Sequence, residues 1–304
     1  MLPQRPRRAR RVQLAVPGSS DRMMANAAAS AADHVFLDLE DAVAPSAKEA
    51  ARARVVAALH TLDWTGKTRC VRINDLTTRY AYEDIIAVVE GAGTHLDTVI
   101  LPKAMGASDV LFVATLLHQI EQKIGLDHQI GIEVLIEEVQ ALQNVEAIAA
   151  ASPRVEALIL GMGDFSASMG IDQGFVGSAG GYSGDLWHYA RFRLGMAARA
   201  AGIDAIDGPF PDFKDSEAYA RECRNAFALG FVGKWAIHPA QIAPALAAFT
   251  PDPAAVDNAR RMRAAFLAAT AQGLGATTFE GKMVDAASLR ILQNTLDKAD
   301  LYGM

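Results

Sequence analysis

Residues 130–164 read IGIEVLIEEVQALQNVEAIAAASPRVEALILGMGD, and this stretch decides the fold. Two apolar runs, Ile130–Ile136 and Glu156–Leu160, flank Glu138–Ala150, whose alanines and spaced aliphatic residues read as a helix. Strands that stay apolar through successive positions, joined by a helix, belong to a parallel sheet covered on its faces. Outward from this unit the same alternation repeats. Further strand-like runs are Val12–Val16, His34–Leu39, Arg69–Ile73, Thr98–Pro102, Ile203–Ile206 and Phe231–Ile237, making eight in all. Helices are also expected over Ser46–His60, Tyr80–Gly91, Ala107–Ile124, Leu186–Ala201 and Ser216–Leu229, with Ser46 and Glu49 spaced as a capping box. Eight such units in roughly 240 residues suit an α/β (β/α)8 TIM barrel. A doubly wound open sheet is the rival, because periodicity cannot tell an open row from a ring.

The strand ends favour the barrel. The first run leads into Pro17-Gly18-Ser19, the second into Glu40-Asp41, and the third carries Arg72 just before Asn74. Later runs end at Lys103, Glu137, Asp164, Asp207 and His238. Barrel enzymes gather their sites from the C-terminal ends of many strands. Strand ends also meet water and attract polar residues for that reason alone, which explains a few of these ends better than all eight. After Pro239, which suits the first turn of a helix, Phe249-Thr-Pro-Asp-Pro253 reads as a break. Residues 1–250 are therefore taken as the barrel and 251–304 as a C-terminal extension, a lid or an oligomerisation arm. Within it Asp257–Ala271 and Val284–Leu301 read as helices and Gly273–Gly281 as a loop.

Composition bounds the function. A 304-residue chain, 51% hydrophobic, buries a large core without disulfides or a structural metal. The net charge of −6 argues against nucleic acid as a partner. Arg5, Arg7, Arg8, Arg10 and Arg11 read as a solvated basic arm. No apolar run approaches a membrane span. Cys70 and Cys223 stand far apart with no CxxC spacing, so a reducing cytoplasm is expected.

Glu137 and Asp164, at the ends of adjacent strands, suggest a hard, oxygen-seeking cation. Magnesium is typically held by one or two carboxylates and keeps water or substrate oxygens as its other ligands. Either acid could instead be a helix cap or a surface group. Arg72 within Val71-Arg72-Ile73-Asn74 is costly to bury unless it meets an anion: a substrate carboxylate, a developing enolate oxygen, or a neighbouring acid such as Glu40 or Asp41. The segment Leu37-Asp38-Leu39-Glu40-Asp41 packs three acids at one strand end and calls for positive charge nearby. Gly174–Gly184 lacks the order of a phosphate loop and reads as a flexible loop that orders over substrate.

Taken in order, Val16-Pro-Gly-Ser19, Leu37-Asp-Leu-Glu-Asp-Ala-Val43, Val71-Arg-Ile-Asn74, Leu101-Pro-Lys103, Val134-Leu-Ile-Glu137, Leu160-Gly-Met-Gly-Asp-Phe165, Gly233-Lys-Trp-Ala-Ile-His-Pro239 and Gly281-Lys-Met-Val-Asp285 carry a resemblance. The chain resembles the citrate lyase beta-subunit-like family of CoA-ester lyases, most closely its malyl-CoA and β-methylmalyl-CoA lyase branch, from about Val12 to the last helix. The resemblance implies a barrel dependent on Mg2+, with Mn2+ as a substitute, assembled as a homotrimer or homohexamer. Glu137 and Asp164 would bind the metal, with Glu40 and Asp41 holding its waters. Arg72 would hold the α-keto acid or the thioester oxygen, and Gly163, Asp164, Ile237 and His238 would sit near substrate and coenzyme A. The tail would carry Asp285 into a neighbouring subunit's site as catalytic acid/base. The implied reaction is reversible Claisen-type cleavage of a β-hydroxyacyl-CoA (malyl-, β-methylmalyl- or citramalyl-CoA). Its products are acetyl-CoA or propionyl-CoA plus glyoxylate or pyruvate.

Two departures bear on this. The insertion at Ile171–Asp185 is shorter than in the malyl-CoA lyases, and basic residues that help hold CoA phosphates are thin where Ser20 and Asn26 stand. Arg22 or the N-terminal arginines are the candidate substitutes. Rival readings are a malyl-CoA thioesterase, a citrate lyase beta subunit acting on an acyl-carrier-protein thioester, and a non-enzymatic CoA-binding scaffold. The last ranks lowest because Arg72, Glu137, Asp164 and Asp285 are all present.

Overall fold

The computed structural model describes residues 5–172 and 184–304. Eight strands run parallel in a closed ring: β1 (Val12–Pro17), β2 (His34–Asp38), β3 (Thr68–Arg72), β4 (Thr98–Leu101), β5 (Gly131–Ile136), β6 (Val155–Leu160), β7 (Asp204–Asp207) and β8 (Gly233–Ala236). The ring closes where Gln13 of β1 meets Trp235 of β8 in register. Closure is tight: a Cβ on Gly233 would lie 1.7 Å from the Arg10 carbonyl oxygen. An open sheet is excluded.

Helices α1 (Asp21–Ala28), α2 (Lys48–Thr61), α3 (Ala81–Ala92) and α4 (Ala107–Ile124) wrap the first half of the ring. The second half carries α5 (Val139–Gln143), α6 (Val145–Ala150), α7 (Met162–Met169), α8 (His188–Ala201), α9 (Ser216–Ala228) and α10 (Ile242–Phe249). Both strand faces are buried, and alternation assigns them to two cores. Leu135, Ile159, Phe36 and Trp235 point into the barrel, while Val134, Ile136, Leu158 and Leu160 pack under the helices. The same period stacks His34, Phe36 and Asp38 along the inner face of β2, from base to mouth.

Several local expectations are corrected. Ser46 and Glu49 form no capping box: a short 3-10 turn at Pro45–Ala47 precedes α2, whose N-cap is Ala47 without a side-chain bond. Glu138–Ala150 is two helices broken at Asn144, whose side chain donates to the Met105 carbonyl at 2.8 Å. The Gly273–Gly281 loop contains a strand, β9 (Ala276–Phe279), paired antiparallel with β10 (Lys282–Asp285). Glu280 and Gly281, with φ of 49° and 79°, make the two-residue turn between them. Val284 and Asp285 thus belong to β10, and the last helix, α12 (Ala286–Leu301), starts after them. Of the glycine-rich stretch, only Gly184 lies within the described residues.

The basic arm is docked rather than freely solvated, with Arg7 alone of its five arginines exposed. Arg10 is 1% exposed and donates to Glu133, Glu156 and Asp204, while Arg8 pairs with Asp97 and Glu156. These acids stand at or beside the N-terminal ends of β4 to β7, so the arm plugs the base of the barrel. Within one chain it cannot reach a ligand at the mouth. Beyond α10, helix α11 (Pro253–Ala271) and α12 share a small core of Val256, Ala259, Leu296 and Ala299. Arg199 donates to Asn294 of α12, and Arg7 to the Asp297 carbonyl, which ties α12 to that same base. No helix among the described residues is long and apolar enough to cross a membrane.

Candidate active site at the barrel mouth

Asp38 and Arg72 end neighbouring strands and are register partners. Arg72 donates through Nε to Asp38 Oδ1 at 2.7 Å and through a terminal nitrogen to Oδ2 at 2.6 Å. The backbone N–H groups of Glu40 and Ala42 also donate to Asp38. Burial opposes the charge on Asp38, yet Arg72 and these donors hold its carboxyl below the usual range. The remaining guanidinium nitrogen lies 2.9 Å from Glu40 Oε2, but off the hydrogen-bonding direction, which leaves that buried oxygen without a hydrogen bond. The Arg72 guanidinium rests 5.9 Å from the Phe36 ring centre and 5.6 Å from that of Trp235. It forms the boundary between apolar interior and polar mouth. Of the neighbouring acids expected for it, Glu40 or Asp41, the structure brings Glu40 to Arg72, and adds Asp38, which was not expected.

Lys103, just past β4, has φ of 49°, uncommon for a side-chain-bearing residue. From this backbone its N–H donates to Glu137 Oε1 at 2.9 Å, and Nζ donates to Glu40 Oε1 at 2.7 Å. The same ammonium lies 3.5 Å from Asp41 and 3.7 Å from Asp164. Glu137 is 3% exposed, and burial, then the facing Glu40 and Asp164, push its carboxyl well above the usual range. Room for it comes from Gly161: a Cβ there would stand 2.7 Å from Glu137 Oε2. Asp164 sits in the first turn of α7 with its side chain 43% exposed to the mouth.

Two cations therefore face five carboxylates: Asp38, Glu40, Asp41, Glu137 and Asp164. That excess of negative charge, with burial driving both Glu137 and Glu40 toward their neutral forms, fits a divalent cation between Glu137 and Asp164. A cavity of about 460 Å³ opens here, walled by Met23, Phe36, Trp235 and Ile237 as well as Arg72 and four of these acids, Glu40 excepted. Gly163 lines it too, and a Cβ there would meet nothing. His238 lies outside the cavity lining, its Nδ1 accepting from Ala240 N and its ring stacked on Phe213. Arg22 is exposed in the first turn of α1, beside Met23. Asp285 is not at this chain's mouth. It caps α12, accepting from Ser288 N at 2.8 Å.

One tighter cluster lies elsewhere. Ligand atoms of His34, Cys70 and Glu133 fall within 4.8 Å of one another inside the barrel. It does not fit a metal: Arg10, Gln13 and Thr98 all donate to Glu133, which His34 also contacts, and burial pushes the Cys70 thiol well up.

Residues 11–239 match the HpcH/HpaI aldolase/citrate lyase family. The chain belongs to that family. An L-malyl-CoA/beta-methylmalyl-CoA lyase of Cereibacter sphaeroides is 43% identical, over 100% of this chain and 98% of that protein. A (3S)-malyl-CoA thioesterase of Cereibacter sphaeroides is 33% identical, over 94% and 93% of the two chains. The CitE protein of Mycobacterium tuberculosis, solved with magnesium, acetoacetate and coenzyme A, is 33% identical with a TM-score of 0.75, over 96% of this chain and 98% of that one. The family match spans every strand of the ring and the whole mouth.

Sequence reasoning found Arg72, Glu137, Asp164 and Glu40 but gave no role to Asp38, Lys103 or Gly161. The period-two register that places Asp38 beside Arg72 was available as a signal. Nothing in the sequence marks a lysine with left-handed backbone.

Proposed function

We propose that this chain is a magnesium-dependent CoA-ester lyase that cleaves, reversibly, a β-hydroxyacyl-CoA such as malyl-CoA or β-methylmalyl-CoA. The observation that carries the reading is the mouth itself, where an arginine is clamped in place beside an uncompensated group of carboxylates. Glu137 and Asp164 would hold the metal, which when bound supplies electrophilic polarisation of substrate oxygens. Glu40 and Asp41 would accept hydrogen bonds from water beside that metal.

Asp38 fixes the Arg72 guanidinium so that its third nitrogen stays available to an anionic oxygen. In cleavage the substrate hydroxyl loses its proton to a nearby acid or water, and the bond between hydroxyl carbon and α-carbon breaks. Its electrons pass to the thioester, whose enolate oxygen Arg72 stabilises. The hydroxyl carbon leaves as the carbonyl of glyoxylate. The α-carbon then takes a proton, which we assign to Asp285 of a neighbouring copy, residues 251–304 serving as lid in a trimer or hexamer. Gly163 and Ile237 flank the acyl group, with His238 and Arg22 at the rim toward coenzyme A. Two buried free cysteines accord with a cytoplasmic location.

The deciding assay supplies malyl-CoA with magnesium and follows glyoxylate, acetyl-CoA and free malate together. Equal glyoxylate and acetyl-CoA, abolished by EDTA, is the expected result. Malate with free CoA would instead make the chain a thioesterase, the second reading, favoured by the 33% identical relative of that name. Activity only on a carrier-protein thioester would make it a citrate lyase beta subunit. For Asp285, mixing Asp285→Ala with Glu137→Ala chains should restore activity in hybrid oligomers. No recovery after demonstrated subunit exchange would mean each site is self-contained.

A further inference from the structure

A cavity more spacious than the one at the mouth lies at the opposite end of the barrel. A space of about 600 Å³ lies at the base, between the N-terminal arm, the end of α8 and the C-terminal half of α12. Its volume is that of a small-ligand site. Six cationic side chains line it against three carboxylates, Glu156, Asp204 and Asp297. Two of the cations are spoken for: Arg10 by Glu133, Glu156 and Asp204, and Arg8 by Asp97 and Glu156.

The other four have no ion pair among the described residues. Arg5 donates to the carbonyls of Pro153 and Ala201, Arg7 to that of Asp297, and Arg199 to the Asn294 side chain. Lys298 sits with its ammonium 4.5 Å from the centre of the Phe227 ring. Carbonyl and amide oxygens orient a guanidinium without cancelling its charge. Burial, with a smaller push from Arg199, lowers the Lys298 ammonium below its usual range, and the nearby Asp204 offsets this only in part, as expected of a cation held in a cleft without a paired carboxylate. An adjoining cavity on the other side of Arg5 offers a contrast. There, apart from the shared Arg5, the arginines are matched: Arg8 and Arg69 pair with Asp97, and Arg154 with Glu121. Unmatched positive charge is concentrated in one concave place, on a chain whose net charge is −6.

We propose that this basal cavity binds a small anion carrying a diphosphate, of nucleotide size, at a site separate from the barrel mouth. Guanidinium forks on three sides suit phosphate oxygens, each of which accepts several hydrogen bonds. The volume exceeds what an isolated phosphate fills. The site rests on the arm and on α12, neither of which supplies a group to the mouth of the same chain.

The test is calorimetric titration of the metal-free protein, in EDTA at low salt, with ADP and then with inorganic pyrophosphate. One saturable ADP site per chain is expected, competed by pyrophosphate and weakened at least tenfold in the double variant Arg199→Gln, Lys298→Gln. Both residues lie outside the mouth, and unchanged melting of the variant shows that the fold is kept. If the double variant melts early, Arg199→Gln alone, on the exposed end of α8, should still weaken binding about threefold. Absence of saturable binding would overturn the proposal, as would ADP binding that pyrophosphate fails to compete. Undiminished affinity in the folded variants would also overturn it, by locating the anion elsewhere.

Discussion

Replacing Arg72 by lysine keeps the charge but loses the fork that grips Asp38 through two nitrogens at once. Turnover of malyl-CoA by Arg72→Lys is expected to fall by roughly 10² to 10³, with a smaller change in KM. An equal loss in KM alone would move Arg72 from the reacting oxygen to substrate capture. Glu137 yields a prediction with the opposite sign for stability. Its folded-state carboxyl is raised by burial and by Glu40 and Asp164, so its ionised form opposes folding above the ordinary glutamate range. Metal-free Glu137→Gln should therefore melt higher than the metal-free parent at neutral pH. Magnesium at about a hundred times its dissociation constant adds about 2.7 kcal/mol to the parent, a rise of several degrees that the variant should lack. Thermal unfolding with and without EDTA reads both effects. At this scale the sequence identified residues by chemical cost: an arginine or two carboxylates among aliphatic neighbours need a reason. It named Asp41 rather than Asp38 for Arg72, although the parallel register of β2 and β3 sets Asp38 directly beside the arginine.

The barrel strands were legible because burial on both faces leaves an apolar run that is hard to mistake, and all eight lie where those runs predict. The elements that escaped are those ruled by backbone geometry. Pro45 starts a 3-10 turn that takes in Ser46, which displaces the capping box. The β9–β10 hairpin has only Thr277, Phe279 and Val284 to announce it, and its alternation is too short to outweigh three glycines. Its turn sets a test. Gly281 has φ of 79°, so Gly281→Val should strain the hairpin by about 1 kcal/mol or more. If Asp285 works in a neighbouring site, that variant should lose turnover while the melting of the barrel barely moves. Matched losses in both would tie the hairpin to the fold instead.

Across the whole molecule, the base is held by charge as the wall is held by apolar contact. Glu133 is wholly buried, and although burial alone would raise its carboxyl, His34 and Arg10 hold it far below the ordinary value of 4.5. A depressed carboxyl contributes stability above its unfolded value and surrenders it as pH falls through the folded one. Acid unfolding should therefore set in below about pH 4.5. Glu133→Gln, which leaves Arg10 and His34 without their shared anion, should cost roughly 3–5 kcal/mol at pH 7. The gap from the parent should narrow steadily toward pH 2. Denaturant titrations across that range would show it, and a constant gap would mean that the network carries no linkage to protons.

Ring closure has one more consequence, for the time before the protein exists as a barrel. Gln13 and Trp235, which meet across the seam and share a hydrogen bond, are 222 positions apart. During synthesis β1 must wait for β8 while most of the chain is still to be made. Through that interval its free edge is open to pairing with any other strand, in this chain or another. The arm that precedes it carries five arginines, and their charges repel a second nascent copy at the place where a stray strand would add. On that argument, neutralising the five arginines should show first as lost soluble yield.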